Sequence, residues 1–307
     1  MSQRILILGG NGFIGRQLAC TLQQAGHDVL VLTRSVDHSL EERGIGVRCA
    51  AYLDAEDFHA PLADADLVIH AASTSTPGKT AGAPLAEMDG NLRPTLALLS
   101  ALQQRPDCRL LYVSSGGTLY GDCASPAGEE HALAPRSYYA ASKIAAEHFI
   151  QAYARQFGGH ACILRPSNLY GPGQPARPGF GVIPAAFQAI LRGAPFELLG
   201  DAQAMRDYLY IDDFVELCRR IVEHPASTPL QTLNAASGEG TSLAALIEQI
   251  GAVSGSTLSV AQSQARSGDV QHIVLDPGLA ASVYHWRADT SLREGLEHTW
   301  QWWKTQA

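Results

Sequence analysis

Short apolar runs of strand length alternate with longer segments through the first half of the chain. The runs read RILIL (4–8), DVLVL (28–32), DLVIHAA (66–72), RLLYVSS (109–115) and HACILRP (160–166). A continuous apolar run of this length is typical of a strand that is buried on both faces of a parallel sheet. The segments between the runs, among them 13–24, 84–103 and 138–157, have the length and pattern of helices. The alternation predicts an α/β fold with a doubly wound parallel sheet covered by helices on both faces.

The composition of the chain changes after Pro166. The stretch YGPGQPARPGFG (170–181) is rich in proline and glycine, which indicates a loop and a domain transition. Beyond it, shorter helix and strand signals alternate up to the C-terminal TWQWWK. We therefore expect a Rossmann-like dinucleotide-binding domain over residues 1–166. A smaller, interleaved α/β part over 167–307 is expected to be mainly substrate-binding, and part of 206–236 is expected to return to the first domain.

Charge and cysteine usage exclude several classes of partner. The chain has 307 residues, a net charge of −8 and a pI near 5.7. Nucleic acid and anionic membrane surfaces are poor partners for such a protein, so an anionic ligand needs a local basic pocket. No apolar run reaches the roughly 18–20 residues of a membrane span, and the first strand begins too early for a signal peptide. The six cysteines form no CxxC pair and no zinc-like Cys/His cluster. We expect free thiols, a cytoplasmic location and no metal.

A glycine-rich loop directly follows the first predicted strand. It reads GGNGFIG and opens the next predicted helix. Glycines allow a tight turn and a close approach of the backbone to a phosphate, while the helix N-terminus offers unpaired N–H groups and a favourable dipole. Because the GxxGxxG spacing differs from the GxGxxG fingerprint, the position after a strand carries the inference. The residues predicted to bind a dinucleotide cofactor here are Gly9, Gly12, Phe13, Ile14 and Gly15.

The end of the second predicted strand bears on the choice of cofactor. An acidic residue at this point accepts hydrogen bonds from the ribose 2′-hydroxyl of NAD. This chain has Thr33 and Arg34 there instead. An arginine suits the 2′-phosphate that distinguishes NADP. The sequence thus predicts an NAD(P) cofactor, with NADP favoured by Arg34; an NAD protein with a solvent-exposed Arg34 is the alternative.

The stretch PRSYYAASKIAAE (135–147) places Tyr139 and Lys143 on one helix face, since side chains at i and i+4 are neighbours. A free tyrosine, with a pKa of about 10, is a poor base at neutral pH. A nearby ammonium group and the positive ring of an oxidised nicotinamide both favour the phenolate and lower this pKa. We predict that Tyr139 is a catalytic base and Lys143 its partner, both in contact with the cofactor. Tyr138 is interpreted as a packing or substrate-side residue.

The chain resembles the extended short-chain dehydrogenase/reductase family, in particular its nucleotide-sugar epimerases and dehydratases. The resemblance covers nearly the whole chain and rests on motifs that follow the family's order: GGNGFIG, DLVIHAAS, GNLRPT, YVSSGGTLYG, YYAASK, LRPSNLYGPG and RDYLYIDD. It implies that Tyr139 and Lys143 are the catalytic base and its cofactor-binding partner. The further cofactor-binding residues that it implies are Ala71, Ala72, Asn91 and Pro166.

The resemblance also implies a nucleotide-sugar substrate. Asn168 matches a substrate-contacting asparagine, and Arg206 and Arg266 match positions that hold a nucleotide diphosphate. Arginine suits this task because its guanidinium makes two parallel hydrogen bonds to a phosphate. Ser73 opens the loop STSTPGKTAG (73–82), which we expect to border the sugar.

The chain departs from the family pattern around its YG motif. Gly116 stands where the family has a Ser or Thr that contacts the reacting hydroxyl. The hydroxyls that remain are those of Ser115 and Thr118, of which we favour Thr118. In the dehydratases an Asp–Glu pair stands at the positions of Gly117 and Thr118, and the decarboxylases also have the Glu. The loss of both carboxylates disfavours elimination and leaves hydride transfer at a carbinol carbon.

These observations predict a nucleotide-sugar 4-epimerase of the UDP-hexose class, which passes a hydride between C4 and a bound nicotinamide. The enzymatic alternative is an NADPH-dependent reductase of 4-keto sugars, toward which Thr33 and Arg34 lean. A non-catalytic dinucleotide-sensing regulator is a more distant alternative, because such sensors typically lack the tyrosine–lysine pair. The resemblance further implies a homodimer formed through two helices.

Overall fold

The computed structural model of the protein describes residues 2–35, 38–76, 81–177, 180–263 and 268–306. Within these ranges the strands are β1 (Arg4–Leu8), β2 (Asp28–Thr33), β3 (Gly46–Cys49), β4 (Leu67–His70), β5 (Arg109–Val113), β6 (Ala161–Pro166), β7 (Asn168–Tyr170), β8 (Phe196–Leu199), β9 (Met205–Tyr210), β10 (Leu230–Ala235), β11 (Gly240–Ser242) and β12 (Val260–Ser263). The helices are α1 (Phe13–Gln24), α2 (His38–Glu41), α3 (Glu56–Leu62), α4 (Pro84–Glu87), α5 (Arg93–Leu102), α6 (Gly116–Leu119), α7 (Tyr138–Phe157), α8 (Val182–Arg192), α9 (Ile211–Glu223), α10 (Leu243–Ser254), α11 (Gly278–Tyr284) and α12 (Leu292–Thr305), with a π-helical turn over Met88–Leu92 between α4 and α5.

Seven of these strands form one parallel sheet in the order β10-β6-β5-β4-β1-β2-β3. The chain moves outward in one direction from β1 through β2 to β3, then returns to the other side of β1 with β4. This reversal is the topological switch point of a doubly wound sheet, where ligands bind beyond the carboxyl ends of the strands. The predicted Rossmann-like α/β fold is confirmed.

The register of the sheet aligns the carboxyl ends of its central strands. Leu8, the last residue of β1, pairs with Leu32 on one side and with His70 on the other, and His70 pairs with Tyr112. The residues that follow β1, β2, β4 and β5 are therefore neighbours at a single edge, although up to about a hundred residues of chain separate them. The glycine loop, the Thr33–Arg34 pair and the segments that begin at Ala71 and Ser114 follow these strands directly.

Two apolar cores flank the sheet because successive strand residues point to opposite faces. On β1, the side chains of Ile5 and Ile7 enter the core under α1 and α9, whereas those of Leu6 and Leu8 enter the core under α3, α5 and α7. All four side chains are at most 3% exposed. Burial of each such side chain contributes about 1.5–3 kcal/mol, which fixes the register that brings the strand ends together.

The C-terminal part of the chain contributes smaller sheets and three long helices. Strands β11, β9 and β7 form one sheet, strands β12 and β8 another, and α8, α10 and α12 pack around them. The ring of Phe187 on α8 stacks on that of Trp300 on α12, with 5.2 Å between the centroids. Strand β10 lies in the large sheet, although β9 and β11, its neighbours in sequence, lie in a small one. A domain boundary at residue 166 stays a prediction.

The helices α1 and α7 have the bounds that the sequence predicted, but the segment predicted as one helix over 84–103 is interrupted by the π-helical turn. Pro94 accounts for the interruption, because it has no N–H for the carbonyl of Gly90 and its ring crowds that carbonyl. A local π turn relieves this conflict and is often found at functional sites. Across the described ranges of the chain, no helix combines the length and the apolar character needed to cross a bilayer.

Candidate active site

The sheet brings most of the predicted site residues to one edge. Those predicted to bind the cofactor lie after β1 (Gly9, Gly12, Phe13, Ile14, Gly15), at the end of β2 (Thr33, Arg34), after β4 (Ala71, Ala72), in the π-helical turn (Asn91), on α7 (Tyr139, Lys143) and at the end of β6 (Pro166). Ser73 follows β4, Ser115 and Thr118 follow β5, Asn168 begins β7 and Arg206 lies on β9. Arg266 is outside the residues that the structure describes.

The glycine loop is a close-packed cradle at the N-terminus of α1. Gly9 has a φ of +84°, and a Cβ on it would lie 2.6 Å from the Cα of Ala72. A Cβ on Gly15 would lie 2.3 Å from the carbonyl oxygen of Gly9. No side chain within the described part of the chain caps α1, whose N-cap is Gly12, so its first N–H groups face outward. This arrangement fits the pyrophosphate of a dinucleotide, which binds to free helix N-terminal amides.

The turn after β2 is tied to the glycine loop by Asn11, a contact that the sequence did not indicate. The Asn11 side-chain amide donates to the carbonyl of Ser35 at 2.8 Å, and the Thr33 hydroxyl donates to the same carbonyl at 3.1 Å. Thr33 is buried, whereas Arg34 is exposed. The Thr33 hydroxyl is thus engaged within the turn, and Arg34 is the residue of this pair whose side chain is accessible.

Tyr139 lies at the start of α7, in a position fixed by the helix cap. Ser137 is the N-cap residue, and its hydroxyl accepts a hydrogen bond from the N–H of Ala140 at 3.2 Å. Burial raises the pKa of Tyr139 to about 12; a hydrogen bond with the Ser115 hydroxyl opposes this rise and the charge of Glu87 adds to it. The phenol is therefore protonated at neutral pH. Tyr138, by contrast, is 48% exposed.

Lys143 is buried one helical turn further along α7. Its ammonium donates to the carbonyl of Val113 at 2.9 Å and lies 4.8 Å from the centroid of the Tyr112 ring. Burial lowers the pKa of Lys143 to about 8, against the opposing charges of Glu147 and Glu87. Lys143 is not among the groups that shift the pKa of Tyr139. The expected lowering of the tyrosine pKa by this lysine is therefore not what the structure gives: burial dominates, and the ammonium is directed at strand β5.

The Ser115 hydroxyl forms a hydrogen bond with Tyr139, whereas the sequence favoured Thr118 as the hydroxyl that contacts the reacting group; that role stays a prediction. Thr118 lies within hydrogen-bonding distance of Ser115, with 3.0 Å between the two oxygens. Ser115 precedes α6 in an extended conformation and faces the cavity, whereas Thr118 lies on the short helix behind it. At Gly116 a Cβ would lie 2.8 Å from the carbonyl oxygen of Arg165, so no side chain fits there without movement.

A single cavity of about 770 Å³ joins the sheet edge to the C-terminal part of the protein. The predicted residues that line it are Phe13, Ile14, Ser115, Tyr139, Pro166, Asn168 and Arg206. Its opposite wall includes Phe196 and Leu198 of β8 and Tyr208 of β9. The cavity is therefore long enough to bring a ligand held by the C-terminal part against Tyr139 and the start of α1.

Two predicted substrate residues are held in place by backbone groups. The Asn168 side-chain amide donates to the carbonyl of Asp207 at 2.8 Å. The Arg206 guanidinium donates to the carbonyls of Met205 at 2.8 Å and Gln271 at 3.2 Å, and also to that of Val270. Burial lowers the pKa of Arg206. This half-buried cation is held at the cavity wall by three carbonyl groups.

Two buried carboxylates near the site were not indicated by the sequence. Glu147 on α7 forms an ion pair with Arg165 on β6 at 2.6 Å and accepts a hydrogen bond from Ser114 at 2.5 Å. Glu87, at the end of α4, is 1% exposed and accepts a hydrogen bond from Ser142 on α7 at 2.8 Å. Acidic residues on amphipathic helices normally face solvent, so only the fold reveals that these two do not.

The fold and the arrangement of this site occur together in one known protein family. Residues 5–236 match the NAD dependent epimerase/dehydratase family, and the chain belongs to that family. It is thus an enzyme of the extended short-chain dehydrogenase/reductase type, as the motifs predicted, in a family that depends on a nicotinamide dinucleotide.

Related sequences extend over nearly the full chain. A putative UDP-glucose 4-epimerase of Methanocaldococcus jannaschii is 27% identical over 304 residues, which cover 98% of each chain. A UDP-glucose 4-epimerase of Mycolicibacterium smegmatis is 28% identical and covers 99% of each chain. A dTDP-4-dehydro-6-deoxyglucose reductase of Escherichia coli is 27% identical and covers 95% of each chain.

Solved structures show the same architecture. The UDP-glucose 4-epimerase of Thermotoga maritima, solved with UDP-glucose, has a TM-score of 0.92 at 26% identity and 99% coverage of both chains. The UDP-glucose 4-epimerase of Thermus thermophilus, solved with NAD, has a TM-score of 0.92 at 27% identity, with 99% of this chain and 100% of that chain covered.

Proposed function

We propose that this protein is a nucleotide-sugar 4-epimerase of the UDP-hexose class. The observation that carries the proposal is the single cavity, in which Tyr139 and Ser115 lie between the start of α1 and the wall that contains Arg206. A sugar attached to a diphosphate on that wall reaches Tyr139 and the cofactor end of the cavity together. The UDP-glucose 4-epimerases that share this fold over almost their whole length support the assignment.

In this proposal the residues around Tyr139 handle a single proton at the C4 oxygen of the sugar. The oxidised nicotinamide, when bound, supplies the hydride acceptor and a positive charge that favours the phenolate of Tyr139. Tyr139 takes the proton of the C4 hydroxyl while hydride leaves C4, and it returns the proton when hydride adds to the opposite face of the 4-keto sugar. Ser115 holds the Tyr139 oxygen by a hydrogen bond, and Lys143 supplies a buried positive charge one turn away.

The absence of acidic residues at 117 and 118 restricts the reaction to this redox cycle. A Cβ on Gly117 would lie 3.5 Å from the Asn168 side chain, so a carboxylate at this position would face the substrate side of the cavity. The chain has glycine there and threonine next to it. It therefore has no acid–base pair at these two positions for removing water from a 4-keto sugar.

We also propose that NADP(H) binds more tightly than NAD(H). The support is the exposed Arg34 at the end of β2, together with the burial of Thr33 in the turn. Arg34→Ala is expected to weaken NADP(H) binding and to leave NAD(H) binding nearly unchanged, because only the 2′-phosphate needs the guanidinium. Calorimetric titration with both cofactors checks this. An equal loss of affinity for NADP(H) and NAD(H) would show that Arg34 does not bind the 2′-phosphate.

The diphosphate of the substrate is assigned to Arg206, together with Arg266 on the basis of family resemblance. The support is the half-buried guanidinium of Arg206 on the cavity wall. Arg206→Gln is expected to weaken UDP binding by roughly 1.5–3 kcal/mol, the size of a lost charged hydrogen bond, and to spare NAD(P) binding. Calorimetry with UDP tests it, and unchanged UDP affinity would contradict the assignment.

A homodimer is part of the proposal. Helix α7 packs against α4 and α5, and this face of the molecule carries several exposed apolar side chains. Leu85 is 70%, Met88 45% and Phe149 50% exposed. Exposed apolar side chains that group together on a protein surface mark interaction sites, and these three lie on neighbouring elements. A second copy of the chain, related by a two-fold axis, covers the same residues on both subunits.

The reaction itself is tested by proton NMR with UDP-galactose or its N-acetyl analogue and no added cofactor. Conversion to the 4-epimer over many turnovers is the expected result, because an epimerase regenerates its bound cofactor in each cycle. The E. coli reductase among the relatives defines the contrary outcome. If no UDP-hexose is converted while a 4-keto sugar oxidises added NADPH stoichiometrically, the protein is a reductase and the epimerase proposal fails.

A further inference from the structure

Glu87 is a buried carboxylate beside the catalytic helix that the reaction described above does not use. It ends α4, is 1% exposed and does not line the cavity. Its carboxylate accepts hydrogen bonds from the Ser142 hydroxyl at 2.8 Å, the Asn91 amide at 2.6 Å and the Ser75 hydroxyl at 2.7 Å. A buried charged group is costly unless it is hydrogen-bonded or paired, so such a set of partners indicates a built site.

These three partners of Glu87, all within the described part of the chain, belong to three different segments of the active site. Ser142 stands on α7 between Tyr139 and Lys143, Asn91 lies in the π-helical turn, and Ser75 lies in the loop after β4. The oxygen of the Asn91 side chain also accepts hydrogen bonds from the N–H of Thr74 at 2.8 Å and from the Ser73 hydroxyl at 3.2 Å. Glu87 and Asn91 together therefore fasten the loop expected to border the sugar to the helix that carries the base.

The groups around Glu87 also indicate an electrostatic role for its negative charge. Donation by two hydroxyls and an amide favours the ionised carboxylate. On β4, burial lowers the pKa of His70 to about 3, and on β5 burial raises the pKa of Tyr112, so both rings are neutral. On α7, Glu147 is paired with Arg165. Also on α7, the Lys143 ammonium is a buried cation whose pKa the negative charge of Glu87 raises.

We propose that Glu87 is a positioning residue of the active site, which fastens the 73–76 loop to α7 and balances the charge of Lys143. The inference rests on the proposed function only for the roles of Tyr139 and Lys143. The electrostatic effect of Glu87 has a defined sign. The negative charge of Glu87 raises the pKa of Lys143, and the charge of Glu147 raises it more strongly. Glu87 also raises the pKa of Tyr139. Loss of the charge therefore lowers both values.

The chain offers a direct measurement, because its only lysines are Lys79, Lys143 and Lys304. With ¹³C-labelled lysine, NMR gives three side-chain signals, and the Lys143 signal is the one missing from Lys143→Met. In Glu87→Gln the Lys143 signal is expected to titrate at lower pH than in the wild type. Asp89→Asn is the matched control, since it removes the same charge two residues away from an exposed position and leaves the titration of Lys143 in place.

Two further variants keep the charge and loosen the contacts. Glu87→Asp shortens the side chain, and Ser142→Ala removes one donor; both are expected to lower kcat with KM near the wild-type value, because Glu87 does not touch the substrate. In both, Lys143 titrates close to the wild-type pH. These variants decide the positioning role even if Glu87→Gln does not fold.

An unchanged Lys143 titration in folded Glu87→Gln would overturn the charge balance, and an unchanged kcat in both charge-keeping variants would overturn the fastening role. The NMR titration needs no substrate, so it stands even if the protein proves not to be an epimerase. Conversely, an active epimerase with an unchanged titration refutes the inference about Glu87 alone.

Discussion

At the scale of single residues, the site contains two groups whose burial works against their charged forms. Tyr139 has a pKa raised to about 12 and Lys143 a pKa lowered to about 8. Both shifts arise mainly because a charge is less stable in a buried environment than in water. In the proposed mechanism a positive cofactor ring favours the phenolate of Tyr139, which brings its pKa closer to the neutral range in which acid–base catalysis works best.

Replacement of the base tests this view first. Tyr139→Phe is expected to keep the fold and the cofactor affinity and to lower kcat on the order of 10²–10⁴-fold, the usual contribution of a positioned acid–base group. Tyr138→Phe is the matched control, since this neighbouring tyrosine is 48% exposed and does not line the cavity. Steady-state kinetics at saturating substrate measures both. A larger loss in Tyr138→Phe would reverse the assignment.

Lys143 gives a prediction about stability and pH. Its pKa is about 8 in the folded protein against a usual 10.5, so the unfolded chain binds more protons between these two pH values. Stability rises with pH wherever the unfolded state binds more protons. The free energy of unfolding of the wild type is therefore expected to increase, relative to that of Lys143→Met, as pH rises from 8 toward 10.5. Urea denaturation at several pH values measures the difference, and a constant difference would show that the lysine pKa is not lowered.

At the scale of helices and strands, the sequence predicted the features that neighbouring residues determine. The ends of α7 coincide with the predicted segment, because a serine cap begins the helix and Gly158, with a φ of +71°, ends it. The interruption of the 84–103 segment was missed, although Pro94 is visible in the sequence, because proline is also tolerated in the first turn of a new helix. In this segment the local sequence indicates a helix, but it does not show that the helix is interrupted.

Contacts between distant segments account for what the sequence did not predict in the site. The sequence offered both Ser115 and Thr118 and favoured Thr118, whereas the direction of the chain after β5 brings Ser115 to Tyr139. Glu87 resembles an ordinary acidic residue of a surface helix, and its partners lie as far along the chain as Ser142. Such residues can be identified only once the fold is known. The glycine loop and the tyrosine–lysine pair can be identified from the spacing of their residues in the sequence.

The strand-to-helix turn at the glycine loop makes a prediction at this scale. Gly15→Ala places a Cβ 2.3 Å from the Gly9 carbonyl oxygen and so forces α1 away from the loop. Overpacking of this kind costs about 1–3 kcal/mol, and we expect lower stability together with a loss of NAD(P) affinity. Gly128→Ala is the control, because nothing lies within 4 Å of its added Cβ. Thermal unfolding and cofactor titration measure both effects; normal cofactor affinity in Gly15→Ala would contradict the cradle.

At the scale of the whole molecule, the cavity and the exposed apolar face share one element, helix α7, which carries Tyr139 in the cavity and Phe149 on the apolar face. The cavity lies between the carboxyl edge of the large sheet and the C-terminal part, whereas Leu85, Met88 and Phe149 are on α4, the π-helical turn and α7. Because α7 also carries Tyr139 and Lys143, the proposed dimer interface on this helix would hold it in place. Dimerisation would thus stabilise the position of the helix that carries Tyr139 and Lys143.

The dimer is tested by placing a charge in the middle of this face. Phe149→Glu, at a position that is 50% exposed, is expected to shift the protein from dimer to monomer, because two like charges would meet across a two-fold axis in a desolvated interface. Leu279→Glu is the matched control, since Leu279 is 40% exposed but lies on α11, outside α4, α5 and α7. Size-exclusion chromatography with light scattering gives the mass of each variant. A monomeric wild type would refute the homodimer, and a dimeric Phe149→Glu would move the interface to another face of the molecule.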